Sequence, residues 1–235
     1  MAIHQTMNEP ITGISSMATR SVLAELAGDY ERTSGRRVVI ESVGGVTAAQ
    51  RIQDGESFDM VVLAADAIER LIAAGRVQPG SRVDLARSGI ALAVRAGAPR
   101  PEIRDEASVR DAILAARSIG YSTGPSGSHL TRLFERWGIA ETIAPRIVQA
   151  PPGVPVGTLI ARGDVELGFQ QLSELIHLPG IDVIGPLPPD IQLITVFSAG
   201  LCTASGQKEA ATALLSFLAS PQAASVKLAH GMEPA

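Results

Sequence analysis

Phe58-Asp-Met-Val-Val-Leu63 is the stretch that decides the fold. An apolar run of this length, bounded by turn residues, suits a strand covered on both faces. Both flanks read as helix: residues 47–53, closed by Asp54-Gly55, and residues 67–74, ended by Gly75. Further out, residues 10–14 form a short strand. Residues 17–32 form a helix with Ser16 as N-cap and Val22, Leu23, Leu26 and Tyr30 on one face. Ser34-Gly35 stops that helix and residues 37–42 make the next strand. Strand and helix alternating in this way predict a parallel sheet with crossover helices.

A second series follows, with helix at 109–116, strand at 118–121, helices at 130–137 and 154–162, and strand at 165–170. Two long β-like runs bracket it, Ser88-Gly-Ile-Ala-Leu-Ala-Val-Arg95 and Ile191-Gln-Leu-Ile-Thr-Val-Phe-Ser198, each beside a Pro/Gly cluster. We read them as crossings between lobes, with the helical tail (207–219 and 221–230) returning to the first lobe. The expected architecture is α/β, two doubly wound Rossmann-like lobes joined by two crossing strands. Lobe 1 comprises residues 1–87 and 197–235, and lobe 2 residues 88–196. In such sheets ligands sit at the carboxyl ends of strands, so a cleft between the lobes is the expected site.

Composition narrows the function. Hydrophobic residues make up 46% of the 235 and charged residues 19%, a globular balance. Aromatic content of 3% requires a core of Ala, Val, Leu and Ile. A net charge of -4 argues against nucleic acid as a partner. No stretch has the length of a membrane span. Residues 1–10 lack a basic n-region and an apolar h-region, so the chain as written reads as cytoplasmic, or as periplasmic if a leader was removed. Cys202, the one cysteine, lies in an apolar run and reads as a small buried hydrophobe. His4, His177 and His230 are scattered without ligand spacing. We therefore assign no metal and, with no G-x-G-x-x-G after a strand, no cofactor.

The polar loops carry the chemistry. Tyr121-Ser-Thr-Gly-Pro-Ser-Gly-Ser-His129 precedes Leu130, Leu133, Phe134 and Trp137 at helical spacing. A Gly- and Ser-rich loop that opens a helix leaves backbone N–H groups free at the positive end of the dipole, which suits an anion. Gly13-Ile-Ser-Ser-Met17 and Val43-Gly-Gly-Val-Thr47 give the same signal. The implied partner is a small anionic ligand.

With these residues assembled, the chain resembles the type II periplasmic solute-binding proteins, in particular the molybdate-binding branch, from Gly13 to Ala235. Gly13-Ile-Ser-Ser-Met-Ala18 looks like that family's first serine loop. Phe58-Asp-Met-Val-Val-Leu-Ala-Ala-Asp66 looks like its strand and small-residue-Asp turn, and Leu167-Gly-Phe-Gln-Gln-Leu-Ser173 occupies the place of its late strand and second-lobe ligand loop. The resemblance implies binding of a small anion, an ABC permease as partner if the protein is exported, and ligand contacts from Ser15, Ser16, Arg20, Gly44, Gly45, Thr123, Ser126, Gly127, Ser128, Val154 and Gln171. The departures favour a carboxylate. Gly44-Gly45-Val46 stands where molybdate binders carry hydroxyls, and Gln171 where they carry a tyrosine. An amide with a nearby guanidinium suits a planar carboxylate better than a tetrahedral oxyanion. Some relatives with this loop chemistry look like aconitate isomerase, which moves a double bond in a tricarboxylate. Under that alternative His129 is the candidate base, because imidazole is the side chain suited to proton transfer near neutrality, with Glu41 and Glu174 as other candidates. Several residues also have a plain structural role open to them. Ser16, Ser126 and Ser128 can cap helices, Arg20, Arg51 and Arg132 can be solvated surface charge, and Gly124 and Gly127 can serve positive φ or close backbone approach.

Overall fold

The computed structural model describes residues 9–235. His4 and the leader reading of residues 1–10 fall wholly or mostly outside them. The chain divides into two compact units, one running up to Arg87 and resuming at Val196–Ala235, the other Ser88–Thr195.

The first unit opens with β1 (Ile11–Ser16), a 3-10 turn (Met17–Thr19) and α1 (Arg20–Ser34). Then come β2 (Val38–Val43), α2 (Gly45–Gln53), β3 (Met60–Ala64), α3 (Ala65–Ala73) and the long β4 (Val83–Arg95). The second unit adds α4 (Glu106–Ala115), β5 (Ile119–Tyr121), α5 (Pro125–Arg136), α6 (Ala140–Ile143) and β6 (Ile147–Gln149). It continues with α7 (Val156–Arg162), β7 (Leu167–Gln171), α8 (Leu172–Leu175) and β8 (Ile181–Pro186), and β9 (Ile194–Leu201) leads back into the first unit. Helices α9 (Lys208–Ala219) and α10 (Ala224–Ala229) and the short β10 (Glu233–Pro234) complete the chain. The unit boundaries fall inside β4 and β9, the two runs read as crossings.

In the first unit β1 lies between β2 and β3 and is parallel to both, while β9 pairs antiparallel with β3. The second unit repeats the scheme. There β5 lies between β6 and β7, parallel to both, and the later half of β4 runs antiparallel to β7. Strand periodicity divides each core into two. Met60 and Val62 join one cluster with Leu23, Leu26, Phe197 and Leu214, while Val61 and Leu63 face a second with Ile14, Ile68 and Leu71. In the second unit Leu92 and Phe169 pack with Ile113 and Phe134, and the small Ala91 and Ala93 turn to Val156 and Ile160 of α7. Cys202 is one of the buried residues, and burial pushes its thiol up to about 12, out of nucleophilic range.

Element ends differ from the sequence reading in informative places. β1 runs two residues past the expected end, so Ser15 and Ser16 are its last residues. α5 starts at Pro125, five residues before Leu130, and takes Ser126 to His129 into the helix. The cause is a Gly124 N-cap followed by proline at the first helical position, where a missing N–H costs nothing. α7 begins at Val156, leaving Val154 in the preceding turn.

Asp59 locks the first unit. Its buried carboxylate accepts from Thr12 N (2.9 Å), Thr12 Oγ1 (3.0 Å) and Ser205 Oγ (2.7 Å), joining the start of β1 to the loop after β9. Removing it would orphan the buried Ser205 hydroxyl and the half-buried donors of Thr12. Asp59→Ala is therefore expected to lose about 3 kcal/mol, read as a lower urea midpoint, with Asp59→Asn losing less.

Candidate functional site

The carboxyl ends of β1 and β2 lie side by side, Ser15 opposite Ser42 and Ser16 opposite Val43. Ser15 is fully buried, and its Oγ lies 2.8 Å from Ser42 Oγ, so that hydroxyl is already engaged. Ser16 differs. It is 7% exposed, its Oγ has no hydrogen-bond partner, and it makes no side-chain cap bond to the turn that follows. Capping, the bland role open to it, is thus unfilled. Gly45 lies against it, with an ideal Cβ there only 3.5 Å from Ser16 Cβ. Gly45 opens α2, whose first loop-to-helix bond runs from Ala48 N to Gly44 O. The N–H groups of Gly45, Val46 and Thr47 precede that bond and are the orphan donors of a helix start. A buried unpaired hydroxyl thus sits beside free amides at the positive end of a helix. Arg20 is exposed at the first residue of α1.

In the second unit the corresponding turn joins β5 to α5. Ser126 is buried, and its Oγ is 3.3 Å from Ser122 Oγ, which also accepts from Gly124 N at 3.4 Å. Ser128 N bonds to Gly124 O, which leaves the amides of Ser126 and Gly127 as the free donors of α5. Gly124 and Gly127 were expected to serve positive φ or close approach, and neither has positive φ. Gly127 is needed for proximity alone, since a Cβ there would fall 1.7 Å from Ser122 O. Thr123 and Ser128 are exposed. His129 is half-buried, and its Nε2 lies 2.8 Å from the carbonyl oxygen of Ile191. That contact places the ring proton on Nε2 and leaves Nδ1 as the basic nitrogen.

The end of β7 holds Gln171, expected as a ligand contact, and lies beside Glu174, expected as an alternative base. Gln171 is buried, and its amide is satisfied with the oxygen towards Thr195 Oγ1 (2.9 Å) and the nitrogen towards Ser88 O (2.9 Å) and Gly89 O (3.3 Å). It ties together the segments where the second unit begins and ends. Gln170 is buried as well, accepting from Val156 N (2.9 Å) and donating to Glu174 Oε1 (2.7 Å). Burial pushes the Glu174 carboxyl up to about 8, against the opposing pull of the Gln170 bond. Beside it, Ser173 Oγ is buried without a partner. Val154 spends its N–H on Pro151 O. Glu41 sits in an exposed ion pair with Arg51, which also holds Glu56 and lies over the Phe58 ring, so the acid is held below its ordinary range. The signal for Glu174 was its place three residues past a strand end, but its burial comes from tertiary packing.

Among the described residues no helix is long and apolar enough to cross a membrane. A model of the bacterial extracellular solute-binding protein family matches residues 11–233. An aconitate isomerase from a Pseudomonas species is 38% identical over 95% of this chain and 87% of its own length. Among solved structures, the periplasmic molybdate-binding protein of Azotobacter vinelandii superposes with a TM-score of 0.80 at 23% identity, covering 94% of this chain and 98% of that one. The sulfate-binding protein SubI of Mycobacterium tuberculosis H37Rv gives 0.74 at 17% identity, covering 97% and 87%. These likenesses establish the expected fold, α/β of the type II periplasmic-binding-protein kind.

Proposed function

We propose that this chain, which belongs to the bacterial extracellular solute-binding protein family, binds a small polycarboxylate at its strand-end loops. The observation that carries the reading is the Ser16 hydroxyl, buried and unpartnered beside the free amides of α2. An unsatisfied buried hydroxyl costs free energy that an incoming anion oxygen removes. Within the second unit, the free amides of Ser126 and Gly127 offer donors of the same kind. Arg20, Gly44, Thr123, Ser128 and Val154 complete the proposed set, and Gln171 acts by holding the crossing segments. If the protein is exported, an ABC permease is its partner.

A second reading is favoured by the 38% identity with an aconitate isomerase. Here the bound ligand is a tricarboxylate and an allylic proton moves within it, with His129 as the base expected from sequence. The two readings share the ligand class and differ in turnover.

A thermal-shift panel of cis- and trans-aconitate, citrate, sulfate and molybdate tests binding, since a native-state ligand raises apparent stability. The carboxylates should raise the midpoint, and Ser16→Ala should weaken their binding about tenfold, the loss of one hydrogen bond to a charged group. A panel that leaves the midpoint unmoved would refute the binding reading.

A further inference from the structure

We propose that Glu174, held by the Gln170 amide, is the group that carries the proton in the isomerase reaction. The inference rests on the isomerase reading and names a residue within it.

The geometry is specific. Val156 N can only donate, so Gln170 Oε1 must be the atom that receives it, and Gln170 Nε2 is thereby turned to Glu174 Oε1. The carboxyl is left with one oxygen committed as an acceptor. The other, Oε2, has no hydrogen-bond partner among the described residues, and no cation pairs with the acid there. The chain Val156–Gln170–Glu174 fixes the orientation of the carboxyl while leaving one oxygen available. It lies immediately after β7, where strand-end ligands are met in this fold class, next to the unpartnered Ser173 hydroxyl.

The competing bases fit less well. Glu41 is exposed and tied to Arg51, which keeps it ionised and weakly basic. His129, with its Nε2–H held by Ile191 O and Nδ1 left basic, is the nearer rival, and the variants below separate it from Glu174. Glu174, partly buried and shifted to about 8, exchanges its proton near neutrality, as a shuttle must.

The step balances without a redox partner. Ionised Glu174 Oε2 removes a proton from the methylene carbon of cis-aconitate. The C–H electron pair moves into the neighbouring double bond, and the negative charge spreads onto a carboxylate steadied by backbone N–H groups. Protonated Glu174 returns the proton to the far allylic carbon, so the double bond has moved by one position and the carboxylate is regenerated.

The test is deuterium uptake from D2O into cis-aconitate by the full chain, followed by proton NMR, with affinity measured separately by calorimetry. Glu174→Gln keeps shape and removes the base. It should slow uptake at least about 100-fold while affinity stays within a few-fold. If that variant also loses ligand, Glu174→Asp decides. Uptake reduced about tenfold or more at unchanged affinity supports the assignment, and uptake at the wild-type rate overturns it. Glu174→Gln exchanging at the wild-type rate overturns the inference and leaves the isomerase reading standing. So does uptake abolished by His129→Ala but not by Glu174→Gln, which moves the proton to His129. Wild-type protein that binds cis-aconitate yet neither takes up deuterium nor forms trans-aconitate overturns the isomerase reading, and this inference with it.

Discussion

Gly127→Ala should prevent the second unit from folding normally, with a loss of about 4 kcal/mol or more and no measurable ligand binding. The new Cβ would lie 1.7 Å from Ser122 O and 2.9 Å from Ser122 C, both backbone atoms of the turn between β5 and α5. No rotamer change relieves a clash between two backbones, so the turn must open. Opening it disturbs Leu130, Leu133 and Phe134, which anchor α5 in the second unit's core. The same exchange at Gly45 is the control, because its Cβ would meet nothing closer than Ser16 Cβ at 3.5 Å. Gly45→Ala should therefore unfold within about 1 kcal/mol of wild type, since alanine suits a helix start at least as well as glycine. Thermal unfolding of the two variants side by side checks the pair.

Glu174→Gln should make the protein more stable at alkaline pH, by about 3 kcal/mol near pH 8.5. In the folded chain the carboxyl is shifted from 4.5 to about 8 by burial. Between those values the folded state holds a proton that the unfolded chain has released. Stability therefore falls as pH rises through that window, and the loss is complete above the folded value. The shift alone would permit about 5 kcal/mol, and partial exposure of the side chain to water reduces this. The Gln variant has no such titration, so the two stability curves should agree near pH 4.5 and diverge towards pH 8.5. For a chain of this size the gap is a midpoint difference of roughly 6–10 °C. Curves that stay parallel across that range would mean that Glu174 ionises freely in the folded protein.

Most of the first unit was legible because its strands are apolar and its helices amphipathic, as in Val22, Leu23, Leu26 and Tyr30 on α1. Two strands of the second unit were not. β6 spans only Ile147–Gln149, too short for periodicity to show, and β8 carries Asp182, Gly185 and Pro186 in a half-buried run. The start of α5 was hidden for a different reason. Ser126 and Gly127 read as loop by propensity, yet they are buried in the helix against Ser122, and only Pro125 announced the start. At the candidate site, residue types and strand-end positions were readable, but engagement was not. Sequence could not tell that Ser15 is paired with Ser42 while Ser16 is unpaired, nor that the Gln171 amide is spent within its own unit. Nor could it show the Gln170 bridge that orients Glu174, since the partner amide lies at the start of a different helix. Such facts depend on which elements become neighbours.

The most direct test of the central claim is a calorimetric titration of the wild-type chain with cis-aconitate and, separately, with molybdate. The Gly44-Gly45-Val46 loop offers backbone amides where a tetrahedral oxyanion needs hydroxyls, and anion oxygens left unpaired when buried are costly. The account predicts cis-aconitate bound at least about tenfold more tightly than molybdate, a difference of roughly 1.4 kcal/mol. Molybdate bound far more tightly than cis-aconitate would contradict it.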